Sequence, residues 1–150
     1  MGSKTVQVDA FSAKLIGLWE QAGQKLETLG EAFPEAKYDQ TPGDGMRTFS
    51  EVLRHVAFWN LYVADTLRGK KANDTANELP SAKYSTKGQI LKALKETTAD
   101  AATALREKKA GLEPETVELV VAFVAHASEH YGQLVTYARR AGIVPPASRG

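Results

Sequence analysis

The sequence predicts an all-α chain folded as a four-helix bundle, and three observations predict it. Apolar residues recur at threes and fours over four stretches, about 6–32, 48–68, 86–108 and 114–141. Capping or helix-breaking residues bound these stretches. No convincing strand lies between them, and no internal repeat divides the 150 residues, so a single domain spanning 1–150 is expected.

In the first stretch Phe11, Leu15, Leu18, Trp19, Ala22, Leu26 and Leu29 form the apolar stripe. Gly17 and Gly23 interrupt it at some cost in helix propensity, which close packing against a neighbour would explain. Phe33-Pro34 ends the helix, and a loop rich in Pro, Gly and Asp runs on to Met46. Thr48-x-x-Glu51 is a capping box at the head of the second helix, which stops at Gly69. Val52, Val56, Trp59 and Val63 make its inward face, bordered by His55, Tyr62 and Thr66. The polar stretch to Tyr84 is long enough to cross a ~30 Å helix, which would let the second and third helices run parallel.

Ser85 or Thr86 caps the third helix, whose inward residues are Ile90, Leu94, Thr98, Ala101 and Leu105. Pro114 opens the fourth helix, with Gly142 as its stop. The fourth helix carries two apolar faces. One holds Leu119, Phe123, Leu134 and Tyr137; the other, nearly opposite, holds Val117, Val120, Val124, Tyr131 and Val135. The second face either meets another helix of the bundle or a twofold-related copy, and a homodimer is the expectation.

On the first face stand His126 and His130, one turn apart. Buried imidazole nitrogens need partners, and a shared metal ion would satisfy both. The only other histidine, His55, also falls on an inward helical face, so all three can reach one point between the second and fourth helices. Three neutral histidines suit several divalent transition ions and ligand type alone does not choose among them; zinc or nickel is the first expectation, ahead of iron, manganese or copper. Three protein ligands leave a position for water or substrate, as in catalytic zinc sites. Glu129 lies beside this face and reads first as a solvated glutamate, second as a base or a partner to a ligand. Gln133, Tyr137 and Tyr62 are candidates for lining the pocket, and Trp59 reads as core. His126-x-x-Glu129-His130 also fits the H-x-x-E-H peptidase pattern, but no acidic residue follows Glu129 to complete such a site.

Other classes are disfavoured. Net charge is +1 with the signs interspersed, so nothing resembles a phosphate-binding stripe, and nucleic acid is not an expected partner. No apolar run approaches the ~20 residues of a membrane span. The absence of cysteine rules out disulfides and thiolate ligands. No signal-peptide core is visible, although Met1-Gly2-Ser3 has the look of a remnant that replaced a native start, and the default expectation is the cytoplasm.

Taken together, these residues resemble the DinB/YfiT superfamily of small bacterial bundles. The likeness rests on Lys37-Tyr38, on Met46-Arg47-Thr48-Phe49 leading into the second helix, on His55, and on His126-x3-His130-Tyr131-Gly132-Gln133-Leu134-Val135-Thr136-Tyr137. The tail Gly142-Ile143-Val144-Pro145-Pro146 is also typical. The resemblance implies an up-down-down-up bundle, a divalent metal held by His55, His126 and His130, and commonly a homodimer. It implies no single reaction, since members include thiol-dependent transferases and proteins described as metal-dependent hydrolases. The expected function is therefore metal-dependent hydrolysis or transfer from a low-molecular-weight thiol to a small molecule. Arg47 and Lys37 are candidates for receiving an acidic thiol. The alternative is a non-catalytic metal-binding or stress-response interaction protein.

Overall fold

Four helices form where the capping signals place them. The computed structural model describes residues 8–108 and 110–150. Helix α1 spans Ala10–Ala32, α2 Phe49–Leu67, α3 Lys87–Arg106 and α4 Pro114–Arg140, with short 3-10 turns at Glu35–Lys37 and Pro146–Ser148. There is no strand among the described residues.

The capping box of Thr48 and Glu51 is present, with the Thr48 amide donating to Glu51 Oε2 at 2.7 Å. Thr86, rather than Ser85, caps α3 and forms a second capping box with Gln89. Gly69 and Gly142 take the left-handed conformation that ends α2 and α4, with φ of 69° and 76°. The start of α1 differs from the expected Val6. Val6 lies outside the described residues, Val8 is not helical, and the Asp9 carboxylate caps the helix by accepting from the Ser12 amide at 2.9 Å.

The inward face of α1 is also rotated from the one expected. Phe11 and Leu18 are 61% and 53% exposed, whereas Ser12, Ile16, Gly23 and Gly30 are buried. Small and polar residues carry no apolar signal, so their share of the buried face is invisible to hydrophobic periodicity. Gly23 fits its expected reason: a Cβ there would collide with the Thr98 side chain. Gly17 does not, because open space surrounds it.

Both α1 and α2 pack against α3 and α4. Between α2 and α3 the cross-links advance together along the chain: Arg54 with Tyr84, Asn60 with Thr97 and Thr98, Arg68 with Asp100. Between α1 and α3 they run in opposite order, with Arg106 on Glu20 and Lys95 on Glu31. Two apolar clusters fill the interior. One is centred on Leu26, Leu29, Phe49, Leu53 and Leu134, the other on Trp19, Val63, Leu105 and Val120.

The second apolar face of α4 belongs to this interior. Val120 is fully buried, and Val117, Val124, Tyr131 and Val135 pack against the two clusters. Ala22 and Leu26 of α1 share a small internal space with Val124 and Ala127, and Lys25 lies 5.7 Å from the Tyr131 ring. Part of the face expected to bind another copy therefore meets the chain's own α1, while Val117, Val124, Tyr131 and Val135 stay half-buried. No helix among the described residues is long and apolar enough to cross a membrane.

The connection from α2 to α3 is tied down rather than slack. Arg54, 6% exposed, pairs with Glu78 at 3.2 Å and donates to the Tyr84 carbonyl at 3.2 Å. The Leu79 amide donates back to the Arg54 carbonyl at 3.3 Å, and the Leu79 side chain is buried. This places residues 77–79 directly above the next residue of α2, His55.

A candidate three-histidine metal centre

The antiparallel approach of α2 and α4 brings His55 to His126 and His130. His55 Nε2 lies 2.9 Å from His126 Nε2, and His130 Nε2 lies 3.1 Å from the same atom. The ligand atoms of all three residues fall within 4.8 Å of one another. His55 is buried; His126 and His130 are half-buried, so the cluster meets solvent on one side.

The hydrogen bonds behind the rings decide which nitrogens carry protons. His55 Nδ1 is 2.7 Å from the Asn77 carbonyl oxygen, which can only accept, so the proton sits on Nδ1 and the Nε2 lone pair is free. For His130 the assignment propagates along a relay. The Arg47 carbonyl accepts from the Tyr137 hydroxyl at 2.8 Å. That hydroxyl therefore accepts from Gln133 Nε2 at 2.9 Å, which turns Gln133 Oε1 towards His130 Nδ1 at 2.8 Å. His130 Nδ1 must donate, and its Nε2 is also a lone pair.

Two backbone carbonyls, of Asn77 and Arg47, thus present two lone pairs to His126. A neutral His126 has at most one proton on Nε2, and one proton satisfies one neighbour well. The remaining contact leaves a lone pair at hydrogen-bond distance with no proton aimed at it, and if His126 carries its proton on Nδ1 instead, both contacts set lone pair against lone pair. A cation between the three nitrogens removes that conflict. Zinc–nitrogen bonds of ~2.0–2.1 Å at tetrahedral angles space the nitrogens ~3.3 Å apart, a few tenths of an ångström beyond the two short contacts. The donor set fits a divalent ion.

Electrostatics disfavour a charge on two of the rings, His126 and His55. Burial, then the neighbouring imidazoles of His130 and His55, then the Arg47 charge, push His126 down to about 4. Burial also lowers His55, against the opposing hydrogen bond to Asn77, with Arg47 and His130 adding to the lowering. No carboxylate acts on either ring.

A family model described as the DinB superfamily matches residues 18–134, more than half of the chain and inclusive of all three histidines. The chain belongs to the DinB superfamily. No curated protein sequence matches it.

Around the histidines of this DinB-superfamily chain the expected neighbours sort unevenly. Gln133 and Tyr137 form the relay to His130, and Tyr137, 4% exposed, is both core and hydrogen-bond partner. Glu129 is exposed, and the hydrogen bonds of His126 and His130 go to other residues. Tyr62 packs on Trp59 and Phe123, at 5.1 and 5.7 Å between ring centres, and meets the cluster only through them. Trp59 is more than core: its indole N–H donates to Asn77 Oδ1 at 2.9 Å, and it stacks on Phe123 beside His126.

Asn77 was not singled out by sequence. A main-chain acceptor has no residue signature; the one available hint is that asparagine tolerates positive φ, and Asn77 has φ of 63°. Lys37 lies away from the cluster, where its ammonium donates to the Ala141 carbonyl at 3.4 Å beside a cavity of about 270 Å³. A groove of about 640 Å³ between α2 and α3 is lined by no histidine.

Proposed function

We propose that His55, His126 and His130 hold one divalent transition ion, zinc or nickel ahead of iron, manganese or copper, and that the protein is a metal-dependent enzyme acting on a small molecule. The single observation that supports this reading is the convergence of three Nε2 atoms, two of them stripped of their proton by backbone carbonyls. When bound, such an ion supplies Lewis-acid charge that lowers the pKa of an approaching water or thiol, giving hydrolysis or thiol transfer.

The chain's own residues set the surroundings of that charge. Three neutral imidazoles leave the ion's charge uncompensated, and no protein carboxylate acts on the His55 and His126 rings. Arg47 is exposed, and its charge reaches His55 and His126. An anionic substrate, such as a thiolate or a carboxylate-bearing thiol, suits that field. Trp59 and Phe123, stacked at 5.6 Å, screen one flank of His126 from water and offer an apolar surface to an electrophile. The half-exposed His126 and His130 keep the cluster open to solvent, which favours turnover over a sealed structural site.

Elemental analysis of freshly purified protein, followed by assays of the metal-loaded chain with electrophiles and a panel of thiols, tests the proposal. We expect stoichiometric metal, and thiol- or water-dependent turnover that His126→Ala and His130→Ala abolish while the variants stay helical. Tight metal binding with no turnover would favour the non-catalytic alternative. Failure to bind zinc, nickel, iron, manganese or copper after reloading would remove the ligand assignment itself.

A further inference from the structure

Asn77 is the one non-glycine residue with positive φ among the described residues, and its main chain meets His55 while its side chain meets Trp59. Its carbonyl accepts from His55 Nδ1 at 2.7 Å, and its Oδ1 accepts from the Trp59 indole at 2.9 Å. Trp59 in turn stands edge-on to His55 and His126, each 6.5 Å away between ring centres. The residue is itself exposed, so burial does not account for its conformation. The next two positions are anchored, Glu78 by the buried Arg54 guanidinium and Leu79 by its amide and its buried side chain. The left-handed backbone at 77 therefore turns a carbonyl from a fixed loop onto one ring nitrogen.

We infer that Asn77 is a positioning residue of the three-histidine centre, holding His55 in the tautomer and ring angle that offer Nε2 to an ion while fixing Trp59 at its flank. The inference rests on the reading of the histidines as ligands. A hydrogen-bonded partner behind a ligating imidazole sets its orientation and basicity, and its loss lowers metal affinity ~10–100-fold. Here the partner is a main-chain atom, so it is reached by changing which φ the residue tolerates. Glycine keeps the left-handed backbone and the carbonyl; a β-branched residue does not.

The test compares the wild-type chain with Asn77→Gly, Asn77→Val and Trp59→Phe by two measurements. The first is the ¹⁵N NMR pattern of the His55 ring in metal-free protein, which reads the tautomer without any metal. The second is zinc affinity by competition with a chromogenic chelator. We expect Nδ1–H at His55 in the wild type and in Asn77→Gly, with zinc affinity of that variant within a few-fold of wild type. Asn77→Val should give mixed tautomers and a ~10–100-fold weaker zinc complex. Trp59→Phe keeps the loop and should give a smaller, few-fold loss with the tautomer retained. Should Asn77→Val fail to fold, the wild-type tautomer decides: Nε2–H at His55 overturns the inference. An Asn77→Val chain with His55 unchanged and zinc affinity within twofold of wild type overturns it as well. A wild type that binds no zinc, nickel or iron but shows Nδ1–H at His55, lost in Asn77→Val, leaves the positioning role standing and rejects only the metal reading.

Discussion

His55 and His126 are 71 positions apart in the chain, and their Nε2 atoms stand 2.9 Å apart across the contact of α2 with α4. Folding alone creates this contact, so an ion that uses it binds the native chain and not the unfolded one.

Free metal at ~100 times its dissociation constant should therefore stabilise the protein by about 2.7 kcal/mol. A chelator added to the loaded protein should lower Tm, and the shift should vanish in His55→Ala. Differential scanning calorimetry with and without chelator checks both. An unchanged Tm in metal-saturated and chelated wild type would contradict the linkage.

Acid should destabilise even the metal-free chain. Burial and neighbouring charge hold His126 near 4 in the fold, below the ordinary histidine value of about 6.5. Below 6.5 the unfolded state takes up a proton that the folded state refuses, so stability present above that pH is lost as pH falls from about 6.5 towards 4. His55, lowered in the same direction, adds to the slope. Urea denaturation from pH 4 to 8 should show this loss, and His126→Phe should flatten it.

Two glycines of α1 should answer the same substitution with opposite signs. Alanine is favoured over glycine in a helix by ~0.8–1 kcal/mol, and Gly17 has open space about it, so Gly17→Ala should raise stability by up to that amount. Gly23→Ala would drive a methyl into Thr98, and overpacking of about 1–3 kcal/mol should outweigh the same propensity gain. Urea midpoints of the two variants give the comparison directly.

Tyr137→Phe should weaken zinc binding while leaving the bundle folded. The change removes the hydroxyl through which the Arg47 carbonyl orients Gln133, and Gln133 is then free to offer either end to His130. A loss of about 1 kcal/mol in metal affinity is expected, the scale of a single neutral hydrogen bond. Competition with a chelator measures it, and equal affinities in the two proteins would break the relay argument.

The helices were legible because their signals are local. Thr48 with Glu51, Gly69 and Gly142 announce their ends within a few residues. His126 and His130 were legible as a pair for the same reason, since one turn of helix needs no tertiary knowledge. His55 was joined to them by its inward position and by being the chain's only other histidine. What escaped was whatever depends on a neighbour's shape or a main-chain atom. Phe11 and Leu18 follow the apolar rhythm of α1, but Gly23 and Gly30 fit closely against Thr98 and Leu91 of α3, and Ser12 is buried on the same helix. The valines of α4 read as a surface for another copy, and nothing local says that α1 lies beside Val124. Asn77 and Arg47 act through carbonyl groups that every residue possesses.

The segment between Gly69 and Tyr84 is long and mostly exposed, the kind of place where a protease nicks, a tag is spliced or a permuted terminus is opened. Its surface position is deceptive over a few residues. Asn77, Glu78 and Leu79 are bonded in turn to His55, Arg54 and the Arg54 carbonyl, so a cut or graft there pulls on α2 from outside. Beyond Lys70, whose amide donates to the Asp65 carbonyl at 2.9 Å, Lys71 and Ala72 carry no such ties, and foreign sequence should be accommodated there with the histidine cluster intact. Limited proteolysis would then find two classes of scission a few residues apart, one silent and one that disarms the cluster.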